Sequence, residues 1–325
     1  MDRVTTCPWP RPYQIIDFAY NSFLFAWDFA FVCVLRKFVL TMQNRSSILF
    51  SMNRLDIRKR AQILGLLIEG NSLRATSRLA DVSINTVTKL LVDVGAACAR
   101  YQDEAFRSLT CKSIQVDEIW SFVYAKQRSL PSAKAAPIGS GDVWTWTAID
   151  PETKLVPSWL VSDRTQEAAI EFLTDLHSRM ADSIQLTSDG HTAYAGAVDI
   201  VFKGDVDYGQ LVKSYTQTIE GQRRYSPPRC TGAKRHAVEG APDMQHVSTT
   251  ISERQNLTMR MSMRRFTRLT NAFSKKVENH GHAIALHFMF YNFGRIHKSL
   301  RVTPAMQAGV ADHVWTLEEI AALVE

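Results

Sequence analysis

A chain of 325 residues with 46% hydrophobic content is long enough for about two domains and a sizeable core. Its formal charge of +6 and pI near 9.1 point to a polyanionic partner. The cysteines (Cys7, Cys33, Cys98, Cys111, Cys230) are scattered with no C-x-x-C pair, which argues against a zinc finger and a disulfide framework and fits a reducing, cytoplasmic setting.

Residues 1–51 do not read like the rest. Phe18 to Leu40 is apolar and aromatic but is interrupted by Asp28, Arg36 and Lys37. A membrane helix wants about 20 apolar residues with few charges. A signal peptide wants a basic start, a short apolar core and a small-residue cleavage site. Neither pattern is met, so no stable membrane association is expected. Met52 reads as the natural start, with residues 1–51 an extension produced by a mis-assigned start. The second reading is a genuine amphipathic extension.

From Met52 the apolar period becomes helical, with Ile57, Ala61, Leu64, Leu67 and Ile68 at three- and four-residue steps. Gly70-Asn-Ser72 ends that helix and caps a second over Leu73–Ala80. Asp81-Val-Ser83 is a short turn, and Ser83 caps a third helix over Ile84–Val94. Helix, short turn, helix is a helix-turn-helix pattern, predicted over 52–109. Asn85 and Thr86 are candidate base contacts, and Arg74 and Lys89 candidate phosphate contacts. The competing reading is a plain three-helix bundle.

Residues 110–310 read as a separate α/β unit. Strands are expected over Ile114–Tyr124, Val143–Ile149, Leu155–Val161 and Ile184–Thr187. Helices are expected over Glu167–Met180, Tyr194–Val198, from about Thr250, and over Val277–Phe293. Residues 216–247 hold Pro227, Pro228, Pro242 and several glycines without a steady period, and read as an insertion or loop. Residues 311–325 read as a C-terminal tail helix.

The chemistry rests on acids in different settings. Asp117 lies mid-strand, Asp189 ends a strand before Gly190, and Glu253 opens a helix. Acid on a strand, at a strand end and on a late helix is the layout that two divalent metals need for phosphodiester chemistry. Carboxylate oxygens suit Mg²⁺ or Mn²⁺, and two ions can serve the attacking and leaving oxygens. Neighbours on a strand face opposite ways, and periodicity does not choose between Asp117 and Glu118. Asp142, Asp150 and Asp163 also sit at strand ends and compete. A regular helix would put Arg260 and Arg264 on the Glu253 face, with Met259, Phe266, Leu269 and Phe273 opposite. Residues 254–276 carry Arg254, Arg260, Arg264, Arg265, Arg268, Lys275 and Lys276 and no acid. Arg264, Arg265 and Arg268 are thus further candidate phosphate contacts. His191 reads as a surface loop histidine or as a residue that orients a phosphate, Tyr291 and His297 as packing or capping residues, and Trp144, Trp146 and Trp159 as sheet core.

Three segments carry a resemblance: Gln115-Val-Asp-Glu-Ile-Trp-Ser-Phe-Val123, Thr187-Ser-Asp-Gly-His191 and Glu253-Arg-Gln-Asn-Leu-Thr-Met-Arg260. Together they resemble the DDE transposases of bacterial insertion sequences, in detail the insertion sequence one family. Met259–Lys276 and Tyr291–Ala305 are similar to the corresponding parts of such enzymes. The resemblance covers about Met52 to Val310. It implies a ribonuclease H-like catalytic fold, a metal triad of Asp117, Asp189 and Glu253, and Arg260 as the basic residue two helical turns later. It implies an enzyme that cleaves and joins DNA at the ends of its own element and works on double-stranded DNA as a homodimer or larger assembly. Some relatives carry a zinc-binding N-terminal segment, which no cysteine cluster here could form. Two other readings remain: a DNA-binding protein with an inactive catalytic domain, and a ribonuclease H-like nuclease without strand transfer.

Overall fold

The computed structural model describes residues 54–216, 229–267 and 271–324. The 1–51 extension and Arg268 lie outside them. Helix α1 (Ile57–Ile68) turns Ala61, Ile63, Leu64 and Ile68 inward. Ser72 caps α2 (Leu73–Leu79), its hydroxyl accepting from the Ala75 amide at 3.1 Å. Ser83 caps α3 (Ile84–Ala105) through the Thr86 amide at 3.1 Å. Both serines satisfy amides that the first helical turn leaves orphaned. Helix α3 runs past its expected end at Val94, because Ala97 and Cys98 continue the buried stripe.

A six-stranded sheet follows in the order β3-β2-β1-β4-β5-β6. Strands β1 (Ser113–Val123), β2 (Gly141–Ile149) and β3 (Ser158–Ser162) form an antiparallel meander. Helix α4 (Gln166–Arg179) crosses to β4 (Ile184–Asp189), which runs parallel to β1. Helix α5 (Thr192–Phe202) crosses to β5 (Val206–Tyr215), parallel to β4. β6 (Cys230–Glu239) returns antiparallel on β5 at the edge. The fold is therefore α/β around a mixed sheet.

Two strands correct the sequence reading. Residues 216–247 were expected as an insertion or loop, yet β6 lies within them and pairs with β5, itself not anticipated. β6 is exposed along almost its whole length, so it needs no apolar alternation and shows none.

Trp146 on β2 packs against Phe172 of α4 and Tyr194 of α5, which fixes those helices on one face. Helices α6 (Thr250–Ser262) and α7 (Val277–Met289) cover the other, where Trp159 of β3 meets Phe288 of α7. α6 is shorter than the basic run suggested. Met263 turns extended, and Arg264–Phe266 forms a separate 3₁₀ turn that buries Phe266. Arg264 therefore does not continue the helical face of Glu253.

Helix α3 packs on α7 at close range. A Cβ on Gly95 would stand 2.6 Å from both the Cβ and the carbonyl oxygen of His282. α7 runs into a single π-turn over Phe290–Gly294. After a short helix α8 (Pro304–Gln307), the expected tail helix appears as α9 (Leu317–Ala322). A Thr316–Glu319 capping box starts α9. It packs on α1, where Arg60 Nη1 donates to the Ala321 carbonyl at 3.1 Å. Residues 57–325 form one compact unit. No single helix among the described residues is long and apolar enough to cross a membrane.

Candidate active site

The parallel pairing of β1 and β4 sets the site. Gln115 stands beside Thr187, so two residues further on Asp117 and Asp189 reach the same level and the same face. α6 crosses that face with Ser252, Gln255, Asn256 and Met259 buried against it. Gln115 fastens the helix: its Oε1 accepts the Ile251 amide at 3.0 Å and the Ser252 amide at 3.1 Å. A strand side chain thus satisfies amides in the first turn of α6.

Asp117 is held at both oxygens. Asn256 Nδ2 donates to its Oδ2 at 2.9 Å, and the Glu118 amide donates to its Oδ1 at 2.8 Å. Asp189 keeps its turn role as well, with Oδ1 accepting the His191 amide at 2.9 Å. His191 in turn caps α5, Nδ1 accepting from the Ala193 amide at 3.0 Å. Glu253, in the first turn of α6, accepts the Thr249 hydroxyl at 2.8 Å and the Lys213 ammonium.

Charge accumulates here. Burial, then the carboxylates of Glu118, Asp189 and Glu253, push the Asp117 carboxyl up to about 7, against the Glu118 amide that favours its ionised form. Asp117 therefore lies within electrostatic reach of both Asp189 and Glu253. As the side chains stand, no group of three or more His, Cys, Asp or Glu among the described residues is gathered tightly enough to hold an ion. Glu253 is drawn instead to Lys213 and Thr249.

The donor set nonetheless suits a divalent cation. Asp117, Asp189 and Glu253 offer only hard oxygens, the kind of ligand Mg²⁺ and Mn²⁺ take. Asn256 Oδ1 is buried without a hydrogen-bond partner beside them.

The strand sends its two neighbouring acids to opposite faces. Asp117 faces α6, while Glu118 faces α4 and α5. Glu118 Oε2 accepts from Arg164 Nε at 3.1 Å and Nη2 at 3.0 Å. The Arg164 guanidinium lies 4.7 Å from the Trp144 ring centroid. Burial raises the Glu118 carboxyl, and Tyr194 and Arg164 pull it back down. The competing aspartates are engaged in other hydrogen bonds. Asp142 accepts the Gln127 amide, Asp150 the Glu152 amide and Thr153 hydroxyl, and Asp163 the Thr165 hydroxyl.

The basic residues divide. Arg260 is half-buried in the last turn of α6, and Arg264 is exposed on the 3₁₀ turn. Arg265 is only partly exposed: its Nη1 donates to Ser274 Oγ at 2.8 Å, and burial lowers its pKa to about 10. In the helical segment Arg74, Asn85 and Lys89 are exposed. The Thr86 hydroxyl is taken up by Ser83 at 2.8 Å, as part of the cap. Tyr291 is buried, and His297 bonds Ser299 through Nδ1 at 3.0 Å.

Gln115, Asn256, Lys213 and Arg164 were not singled out from the sequence. Asn256 sits three residues after Glu253 on α6, which was the available signal. A scan against protein-family models and a search of curated proteins find no match for this chain.

Proposed function

We propose that this protein is a transposase of the DDE type, which cleaves DNA at the ends of its element and joins them to a target with Mg²⁺ or Mn²⁺. The observation that carries the reading is Asp117 beside Asp189 on the sheet face that α6 covers, within electrostatic reach of both Asp189 and Glu253. The mixed sheet order, with β4 parallel to β1 and a late helix over the shared face, supports a ribonuclease H-like catalytic fold.

Asp117 and Asp189 would hold the ions, and Glu253 would join them on leaving Lys213. When bound, two such ions activate the attacking oxygen and stabilise the leaving one. Asn256 keeps an Asp117 oxygen aimed, and Gln115 keeps α6 seated. Arg260, two turns after Glu253, grips the phosphate beside the reacting bond. Helices α2 and α3 meet at 114°, within the roughly 90–120° of a helix-turn-helix pair. Asn85 then reads a base edge, and Arg74 and Lys89 hold phosphates, with the chain working as a homodimer or larger assembly on double-stranded DNA.

The test uses the full chain, Mg²⁺ and a plasmid that carries the gene with its flanking DNA. Nicked ends and joined products are expected. Asp117→Ala, Asp189→Ala and Glu253→Ala should each abolish both while retaining DNA binding. Binding without cleavage by the wild-type chain would mean an inactive catalytic domain, and cleavage without joining a plain nuclease.

A further inference from the structure

β5 leaves the sheet before it ends. Its pairing with β4 stops at Asp189 and Leu211, but its pairing with β6 continues to Tyr215 and Cys230. From Val212 onward the sheet is a two-stranded ribbon, about 13 Å long at about 3.3 Å per residue from Leu211 to Tyr215. Val212, Ser214, Tyr215 and all of Cys230–Val238 are exposed. A ribbon exposed on both faces gains little from burial, so its retention calls for another partner.

The charge on the ribbon has one sign. Residues 212–216 and 229–235 carry Lys213, Arg229, Lys234 and Arg235 and no acid. Register places Lys213 and Arg235 on the face of α6, and Lys234, opposite Val212, on the other. Both faces are thus cationic. Between the cations the side chains are small, and a Cβ on Gly232 would meet nothing within 4 Å. The base of the ribbon touches the catalytic site, because Lys213 is the ammonium that holds Glu253.

We propose that the β5–β6 ribbon beyond Leu211 is a DNA-holding arm, which lays the phosphate backbone of the duplex flanking the scissile bond against Arg229, Lys234 and Arg235. The inference rests on the transposase reading for the scissile bond, and on the ribbon alone for the contact. A two-stranded ribbon fits the B-DNA major groove, about 12 Å wide, where phosphates lie on both sides. The other occupant of an exposed strand edge is the edge of a second copy. Charged side chains on an edge strand, here Lys234 and Arg235, disfavour edge-to-edge pairing between copies. A polyanion is not disfavoured in this way.

The experiment measures binding of the full chain to a labelled duplex of about 30 base pairs, roughly three helical turns. Salt is varied from about 50 to 200 mM. Arg229→Ala with Lys234→Ala should weaken binding at least tenfold at the low-salt end. It should also reduce the slope of log K against log salt by about two, one for each lost phosphate contact. Lys234→Arg should keep the wild-type slope. Both positions are exposed, and circular dichroism melts check that the fold is retained. Unchanged affinity and slope in the double variant overturn the proposal. So does a double variant whose DNA-free sedimentation changes while its DNA binding does not, since that identifies an interface between copies. Mg²⁺-dependent nicking is scored separately. A wild-type chain that never cuts, but whose salt slope depends on the ribbon, leaves the arm standing and removes the transposase reading. A chain that cuts and joins with ribbon variants as well as without them does the reverse.

Discussion

Asp117 holds a proton that an exposed aspartate would have released. Its folded pKa of about 7 stands against an ordinary 3.8, so the folded chain binds an extra proton between those values. Stability from this residue is present at low pH and is lost as pH rises from about 4 through 7. The loss is at most about 1.4 kcal/mol per pH unit. Asp117→Asn cannot ionise and keeps the shape, so in a chelating buffer it should melt above wild type at pH near 8 and level with it near 4. Added Mg²⁺ should raise the wild-type melting temperature near pH 8 and leave the variant unmoved. A variant that melts below wild type at the higher pH would remove the charge-accumulation argument. At this scale the acids were legible, because carboxylates at strand and helix positions announce themselves by type. Gln115 and Asn256 were not, because a glutamine on a strand and an asparagine on a helix read as ordinary polar residues. Their roles exist only through contacts made between β1 and α6, which are more than a hundred residues apart in sequence.

The described residues between α6 and α7 are tied to the sheet and to α7 by hydrogen bonds. Tyr124 donates its amide to the Ser274 carbonyl at 2.7 Å. His280 lies between two hydroxyls, Nδ1 at 2.8 Å from Ser274 Oγ and Nε2 at 3.2 Å from Ser121 Oγ, and Arg265 bonds the same Ser274. Burial, then the Arg265 charge, lower the His280 pKa to about 3. The unfolded chain binds the proton more readily, so this residue's contribution is present above about 6.5 and is lost as pH falls towards 3. His280→Gln should therefore be less stable than wild type at neutral pH, with the gap closing in acid by up to ~1.4 kcal/mol per pH unit. Chemical denaturation from neutral pH to about pH 4 measures it. A gap that stays constant would mean that His280 titrates normally. Among elements, capped helices were legible, since Ser72 and Ser83 each precede a helical apolar period and each accepts an amide of the first turn. β5 and β6 were not. The outer half of β5 and all of β6 are largely exposed and carry no apolar alternation, and the hydrogen bonds that define them are invisible in a sequence.

The two described ends of the chain meet, and this couples the helical segment to everything after it. α9 lies on α1, with Ile320 and Ala321 fully buried and Arg60 bonded to the Ala321 carbonyl. Just before it, the Trp315 ring stands 4.7 Å from Tyr101 of α3 and 5.6 Å from Phe293. In sequence the last fifteen residues read only as a C-terminal tail helix. In the fold they close the helical layer over the α3–α7 crossing. Deleting residues 312–325 would remove one large buried side chain, Ile320, at about 1.5–3 kcal/mol, and strip Arg60 of a buried acceptor at about 1–3 kcal/mol. That is a large share of the stability of a domain, roughly 5–15 kcal/mol. The truncated chain should melt at least about 5 °C lower, at about 2–4 °C per kcal/mol. Ile320→Ala, a milder change of about 2–5 kcal/mol, should fall between it and wild type. Because residues 57–325 form one unit, DNA binding and Mg²⁺-dependent cleavage should fail at the same temperature in each variant. A truncated chain that binds DNA normally at temperatures where cleavage is lost would show that α1 to α3 fold on their own, and the coupling through α9 would be wrong.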